Sequence, residues 1–480
     1  MPLHRFTCNG KHLIFDGHAL ALHEVDEVAW ELLAGPAEDI EGRARALAGR
    51  FPREAIDEAV AEIRTLAHQG LLFAPDPYGG YEPPPPLVKA LCLNVAHACN
   101  LSCGYCFAGG GEYGAGPAVM PPEIARRAVD FLIAASGPRK RVEIDFFGGE
   151  PLLALDTVRA AVAYAREREA AAGKEFGFTL TTNALLLTDE VIDYLLRHGF
   201  NVVLSLDGRP EVHNRFRRTR GGQGSYAAVR ERILRFIERW ENWDGPRGYY
   251  YVRGTFTRYN QDFAEDFLHL VDLGVRFISL EPAVGRGDEE WTIREEDLPR
   301  LEAEYERLAR LYLALRVGGR DVHFFHFRLD LDGGPCLPRR LTGCGAGCGY
   351  LAVAPDGSLY PCHQFDGRDA FRLGDVWSGA TEPRLVEDFR QAHIYRKPCR
   401  DCWAKFLCSG GCHAAAFIAN GNVLTPYVVG CRLMQKRLEC ALYLASAECV
   451  RRSKKEKTED KGGTWEVHGP GRLDMTISLC

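Results

Sequence analysis

The chain has 480 residues, 46% hydrophobic and 26% charged, a globular composition that excludes disordered, collagen-like and fibrous classes and leaves room for about three domains at ~150 residues each. Its 59 basic residues against 65 acidic ones give a formal charge of -6, which argues against nucleic acid as a partner. No apolar run reaches the ~18–20 residues of a membrane span, and MPLHRFTCNGKHLIFDG has polar residues where a signal peptide needs an apolar block, so a cytoplasmic location away from membranes is expected.

Residues 1–80 read as a first, small mixed module. The alternating segment Phe6–Phe15, turned at Asn9-Gly10, predicts a hairpin. Ile56, Val60, Ile63 and Ala67 predict a helix over 53–68 that Gly70 stops, and Leu71-Leu72-Phe73 reads as another short strand. The run from Pro75 to Pro86 continues neither neighbour, which sets a proline-rich linker at 81–88. From 89 to 320, apolar runs at 91–95, 142–147, 176–182, 201–206, 249–257 and 275–281 alternate with helical patterns near 122–135, 156–171, 188–198, 225–240, 261–272 and 296–315. In the fourth helix the stripe is Val229, Ile233, Phe236 and Trp240; Thr188 caps the third helix and Gly199 ends it. Six β/α units predict an α/β fold with a parallel sheet, an open or partial (β/α)6 barrel whose site lies at the carboxyl ends of the strands. Residues 321–450 lose this rhythm and read as a cysteine-rich region held by bound metal, and 451–480 as a mobile tail.

Seventeen cysteines in a reducing compartment point to metal or redox chemistry rather than disulfides. Three of them, Cys99, Cys103 and Cys106, share one short loop after the first strand of the barrel. Three thiolates there can bind three irons of a four-iron cluster and leave the fourth iron open; the alternative is a zinc site completed by His97. The CX3CX2C loop, with Tyr105 before its last cysteine, resembles the signature of the radical S-adenosylmethionine superfamily. That resemblance implies a 4Fe-4S cluster on Cys99, Cys103 and Cys106, with S-adenosylmethionine contacts from Tyr105, from Gly148-Gly149-Glu150 after strand two, from Asn183 at the end of strand three, and from Ser205 and Asp207 at the end of strand four. Turn formation and helix capping are the plainer roles of these polar and glycine positions.

The second constellation is Cys344-X12-Gly357-X4-Cys362, then Cys399-X2-Cys402-X5-Cys408-X3-Cys412 and Cys431. By spacing it suits a double zinc ribbon. As a whole it resembles the SPASM extension of radical enzymes, which implies two auxiliary 4Fe-4S clusters, three clusters in all. Cys399, Cys402, Cys408 and Cys431 would bind the distal one; Cys344, Cys362 and Cys412 would bind the one nearer the active site. Cys348 or Cys336 could supply the fourth thiolate of the nearer cluster and close it. Over residues 1–450, HRFTCNGKHLIFD, LCLNVAHACNLSCGYCFA and GCGAGCGYLAVAPDGSLYPCHQF resemble maturases of Cys-rich SCIFF peptides. The resemblance implies a winged-helix-like first module that recognises the precursor's leader by strand addition. It further implies a 5′-deoxyadenosyl radical, thioether links from cysteine sulfur to a carbon usually of threonine, and an electron donor such as a flavodoxin or ferredoxin.

Two alternatives stand beside this reading. A sulfatase maturase shares the clusters but has an aspartate base after the cysteine that matches Cys362, where this chain has His363. A zinc-bearing, non-enzymatic peptide-binding scaffold would use its thiols for structure alone. Cys8, Cys92, Cys440 and Cys449, among apolar neighbours, read as buried small hydrophobes, and Cys480 as a tail thiol without assigned use. The segment from His213 to Arg218 reads as a solvated basic loop or one that meets an acidic ligand, and His323 and His326 as core residues.

Overall fold

The structure is a computed structural model, which describes residues 3–329, 331 and 337–459. Leu3–Cys8 and Lys11–Asp16 form the predicted hairpin, with Asn9 and Gly10 at φ 50° and 80°, the left-handed pair that a two-residue hairpin turn requires. Ala21–Glu24 adds a third antiparallel strand, and three helices follow, the last Arg53–His68. The hairpin buries both faces. Ile14 enters the module's own core with Val28, Leu32, Ile56, Val60 and Ile63, whereas Phe6, Cys8, Leu13 and Phe15 enter the main core.

Leu71–Phe73 is not a strand. Phe73 sits at φ 55°, the His23 ring meets the Leu71 carbonyl, and Asp16 accepts from the Ala74 amide, so side chains satisfy the backbone that a ladder would otherwise pair. Nor is the proline-rich stretch a free spacer. Asp76 accepts from Lys405 Nζ and from the Tyr395 hydroxyl, both at 2.7 Å, and Arg390 donates to the Pro83 carbonyl. The linker is therefore fastened to the cysteine-rich region.

The six expected barrel strands are present as Ala90–His97, Arg141–Gly148, Glu175–Thr182, Asn201–Ser205, Tyr250–Phe256 and Phe277–Pro282. They lie side by side in chain order and all parallel, as successive β/α units require. The main helix after each strand matches its predicted span to within about two residues, in the range where helix boundaries are ordinarily defined. Thr188 caps the third from its side chain, and Gly199 follows it at φ 65°.

The cysteine-rich region joins the barrel's sheet. Tyr350–Val353 pairs parallel to the first barrel strand, Tyr350 opposite Ala90, and three short antiparallel strands extend the same sheet. Part of the region shares the barrel's core, where Leu341, Leu359, Leu373, Ile394 and Phe406 belong to the main cluster, and Ala346, Tyr350, Ala352, Tyr360, Phe365 and Phe389 form a smaller cluster with Ala90 and Cys92 of the first barrel strand. At the opposite edge His323–Phe324 adds a short seventh parallel strand. The last helix, Val428–Glu459, packs on Leu298–Val317 and on the first module, where His4 meets Glu439 at 2.8 Å. Cys336, Cys480 and residues 460–480 of the expected tail lie outside the described residues, as does the Cys449 side chain. Cys8, Cys92 and Cys440 are buried, as their apolar neighbours predict. No helix among the described residues is long and apolar enough to cross a membrane.

Candidate active site

The first barrel strand delivers the chain to Cys99. Leu101–Cys103 then runs antiparallel to Arg217–Thr219, with Cys103 opposite Arg217, so the loop after strand four clamps the thiol loop after strand one. Cys99, Cys103 and Cys106 are half-buried neighbours. Burial pushes the Cys99 thiol up to about 11 and the Cys103 thiol up to about 12. A bound cluster takes thiolates, so its assembly must release these protons. Cys99 Sγ already accepts from the Leu101 amide at 3.4 Å and from Asn183 Nδ2 at 3.6 Å, as a ligand sulfur would. His97, the fourth ligand of the zinc alternative, is turned elsewhere: it meets Asp366 Oδ2 at 2.8 Å and stacks on Tyr113. Among the described residues no three His, Cys, Asp or Glu side chains converge tightly enough to hold a single ion; the thiols form looser groups.

Gly148, Gly149 and Glu150 lie where strand two passes the exit of strand one. The Gly149 amide donates to Ala96 O at 2.7 Å and the Glu150 amide to Ala98 O at 2.8 Å. A β carbon at Gly149 would stand 2.2 Å from the Ala98 carbonyl oxygen, and one at Gly148, where φ is +128°, 2.4 Å from that of Ala96. Gly111 closes the same passage, its would-be β carbon 2.8 Å from Gly149 Cα and 2.9 Å from Cys99 Cβ. Sequence reasoning missed Gly111; the triple glycine after Cys106 was the available signal. Glu150 is fully buried and ties strand two to strand three, accepting from the Leu152 amide at 3.1 Å, the Thr182 hydroxyl at 2.8 Å and the Asn183 amide at 2.8 Å. Burial pushes its carboxyl up to about 7 against these bonds.

Asp207 is 1% exposed and engaged by protein donors: Arg217 Nε and the Thr255 amide at 3.0 Å on Oδ1, the Tyr105 hydroxyl on Oδ2. Tyr105 and Asp207 thus tie the thiol loop to strands four and five. Ser205, half-buried, ends strand four in register with Arg253. The segment from His213 is not a solvated loop. Pro210–Phe216 is a short helix, His213 is buried with Nε2 2.9 Å from Ser225 Oγ, and burial pushes it down to about 4.

Cys399 has Cys408, Cys431 and Cys402 as its thiol neighbours, whereas Cys362 has Cys412 and Cys344. Cys348 Sγ lies 4.0 Å from the Val386 carbonyl, and its charged neighbours are Arg390, Glu387 and Cys344. The buried Lys397 stands between the sets, its Nζ 3.0 Å from Gly410 O.

Between the first thiol loop and this region lies the lumen of the barrel, lined by polar residues at alternate strand positions. Asp145 and Thr179 are in register on strands two and three; Ser205, Arg253 and Ser279 align across strands four to six. Asp145 is half-buried with Oδ1 unpartnered among the described residues, and burial with the nearby Glu143 pushes it well above the ordinary carboxylate range. His326 is not plain core: its Nε2 meets Ser279 Oγ at 3.0 Å and Glu281 Oε1 at 3.1 Å, and Arg437 of the last helix meets Glu281 at 3.3 Å. Burial opposes ionisation of Glu281, but His326 and Arg437 outweigh it and hold the carboxyl well below its usual range. Phe107, exposed, faces Phe147 and His363 across the gap between the two thiol regions, at ring distances of 6.3 and 5.5 Å.

The family model of the Radical SAM superfamily matches residues 93–254, from strand one into strand five, and the chain carries a radical SAM domain. A serine-type anaerobic sulfatase-maturating enzyme of Klebsiella aerogenes is 26% identical over 379 residues, 75% of this chain and 87% of that protein. Among solved structures, native anSMEcpe with bound AdoMet and Cp18Cys peptide superposes with a TM-score of 0.62 at 20% identity, over 75% of this chain and 99% of that one. Streptococcus suis SuiB bound to its precursor peptide SuiA gives 0.50 at 16% identity, over 87% and 96%. The shared α/β fold thus extends well beyond the matched domain.

Proposed function

We propose that the protein is a radical S-adenosylmethionine maturase that joins cysteine sulfur to carbon in a Cys-rich, ribosomally made precursor peptide of the SCIFF type. Cys99, Cys103 and Cys106 hold one 4Fe-4S cluster with an iron left for the cofactor. Cys344, Cys362 and Cys412 hold a second, with an iron left for a substrate thiolate; Cys399, Cys402, Cys408 and Cys431 hold a third that carries electrons. With clusters and cofactor bound, the site supplies a 5′-deoxyadenosyl radical, one electron entering from a flavodoxin or ferredoxin and one leaving, and the peptide loses two hydrogens per bridge. The chain's own residues orient the parts. Asn183 and Glu150 hold the ends of strands two and three around Cys99, Tyr105 and Asp207 fix the thiol loop, and the first module takes the leader at a sheet edge.

The observation that best supports this reading is that Cys362 has Cys412 and Cys344 as its thiol neighbours, while Cys348 Sγ lies 4.0 Å from the Val386 carbonyl in the helix Pro383–Arg390. The peptide complexes of anSMEcpe and SuiB support a peptide substrate. Iron content checks the ligand assignment: Cys348→Ala keeps its iron, whereas Cys362→Ala loses about four irons. The function is tested by anaerobic incubation with S-adenosylmethionine, a reductant and a Cys-rich peptide. Loss of two hydrogens per bridge, with those thiols closed to alkylation, is the expected result.

A sulfatase-maturase activity is the second reading, favoured by the likeness to the Klebsiella enzyme. It would show as a peptide oxidised at one side chain with its other thiols still alkylatable. His363, in place of the aspartate base, counts against it.

A further inference from the structure

Strand five runs between strands four and six, and its outward residues Val252 and Phe256 are buried under the helices. Tyr251, Arg253 and Thr255 therefore face the lumen. An arginine at such a place usually finds a carboxylate, because a buried unpaired guanidinium is costly. Arg253 has none: among the described residues it forms no salt bridge, and its side chain is exposed to the lumen. The nearest acid on strand six, Glu281, is already paired with His326 and Arg437. Arg253 is flanked in register by two serines, Ser205 and Ser279, short hydroxyls that leave its planar fork clear. Its charge acts on Glu281, His326 and His363, the last next to the auxiliary Cys362.

We propose that Arg253 is a substrate-binding residue that holds the carboxylate of an aspartate or glutamate side chain of the peptide, and so selects acidic sequence next to the reacting cysteine. The proposal rests on the peptide reading given above and adds which peptides the lumen accepts. A guanidinium grips a carboxylate through two parallel N–H···O bonds, which fixes direction as well as charge. The peptide would then be anchored on the side from which its thiol must approach Cys344, Cys362 and Cys412. S-adenosylmethionine brings a carboxylate of its own to the lumen, and the test separates the two.

Two N-acetylated, C-amidated peptides with a central cysteine, identical except for glutamate against glutamine beside it, are titrated by fluorescence anisotropy against the anaerobic, iron-loaded full chain. Wild type is expected to bind the glutamate peptide about tenfold more tightly, the size of one charge-assisted pair. Arg253→Gln is expected to erase that preference and leave the dissociation constant of S-adenosylmethionine within about twofold; Arg253→Lys keeps part of it, holding the charge without the fork. Equal affinity of wild type for the two peptides overturns the proposal, and so does a preference that survives Arg253→Gln. A tenfold weaker hold on S-adenosylmethionine in Arg253→Gln also overturns it, since the carboxylate would then be the cofactor's. Iron content and circular dichroism confirm that the variants are folded. Reductive cleavage of S-adenosylmethionine by wild type needs no peptide, so its absence would strike the radical reading and not this one.

Discussion

Asp207→Ala is expected to leave an enzyme that cleaves S-adenosylmethionine at least about a hundredfold more slowly than wild type, the penalty for a displacement of ~1 Å at a reacting centre. The carboxylate accepts from three elements at once: Tyr105 in the thiol loop, Arg217 in the short strand that pairs with Cys103, and the Thr255 amide of strand five. Alanine strands all three donors. The Arg217 guanidinium is 12% exposed, and removing the partner of a charge at such depth costs about 3–5 kcal/mol, far more than the pair itself contributes. Relief comes through movement of Arg217 toward water, which drags the ladder that holds Leu101–Cys103. Asp207→Asn separates positioning from charge, for it keeps an acceptor for Arg217 and Thr255 while it removes the charge opposite Arg217 and spoils the bond from Tyr105. It is expected to retain iron and to lose roughly tenfold in rate, one hydrogen bond's worth of order. Cleavage assays and the electron paramagnetic resonance signal of the reduced first cluster check both variants; full activity of Asp207→Ala would show that the network does not position the loop.

The parts of this architecture that were legible in the sequence are those written in local period or spacing. Six apolar runs separated by helical stripes such as Val229, Ile233, Phe236 and Trp240 could form little other than parallel β/α units, and Asn9-Gly10 between alternating strands fixes its turn. The thiols were legible for the same reason, since ligands on one loop must recur at short intervals. What stayed hidden depends on pairings that no local period or spacing announces. Tyr350–Val353 is too short to announce itself, and only pairing with Ala90–Leu93, more than two hundred residues earlier, makes it a strand. His213 and Arg217 have the composition of a solvated loop; their burial follows from single side-chain bonds to Ser225 and Asp207, twelve and ten residues away, which no apolar period marks. His326 was hidden by its aromatic neighbours, although Ser279 and Glu281, polar residues inside an apolar strand, marked the lumen it joins. Leu71–Phe73 shows the opposite error: a β-like composition overruled by backbone bonds to side chains.

Gly149→Ala should cost the first cluster while sparing the auxiliary ones. Its added β carbon would stand 2.2 Å from the Ala98 carbonyl oxygen and 3.0 Å from Gly111 Cα, and both are backbone atoms that cannot swing aside as a side chain would. Either the amide bonds of Gly149 to Ala96 and of Glu150 to Ala98 break, or the chain leading into Cys99 moves. Overpacking of this kind costs about 1–3 kcal/mol, too little to unfold a domain of this size but enough to displace one ligand of a three-thiol site. The expected signature is therefore selective: iron falls by about four per chain, S-adenosylmethionine cleavage is lost, and the thermal midpoint drops by only a few degrees. Gly110→Ala is the control. That glycine sits one residue from Gly111 at φ +79° with nothing within 4 Å of its would-be β carbon, so alanine there meets only the cost of a left-handed backbone, about 1 kcal/mol. Iron content should remain whole in Gly110→Ala and fall in Gly149→Ala. Equal iron in the two would mean that the close passage of strands one and two does not hold Cys99 in place.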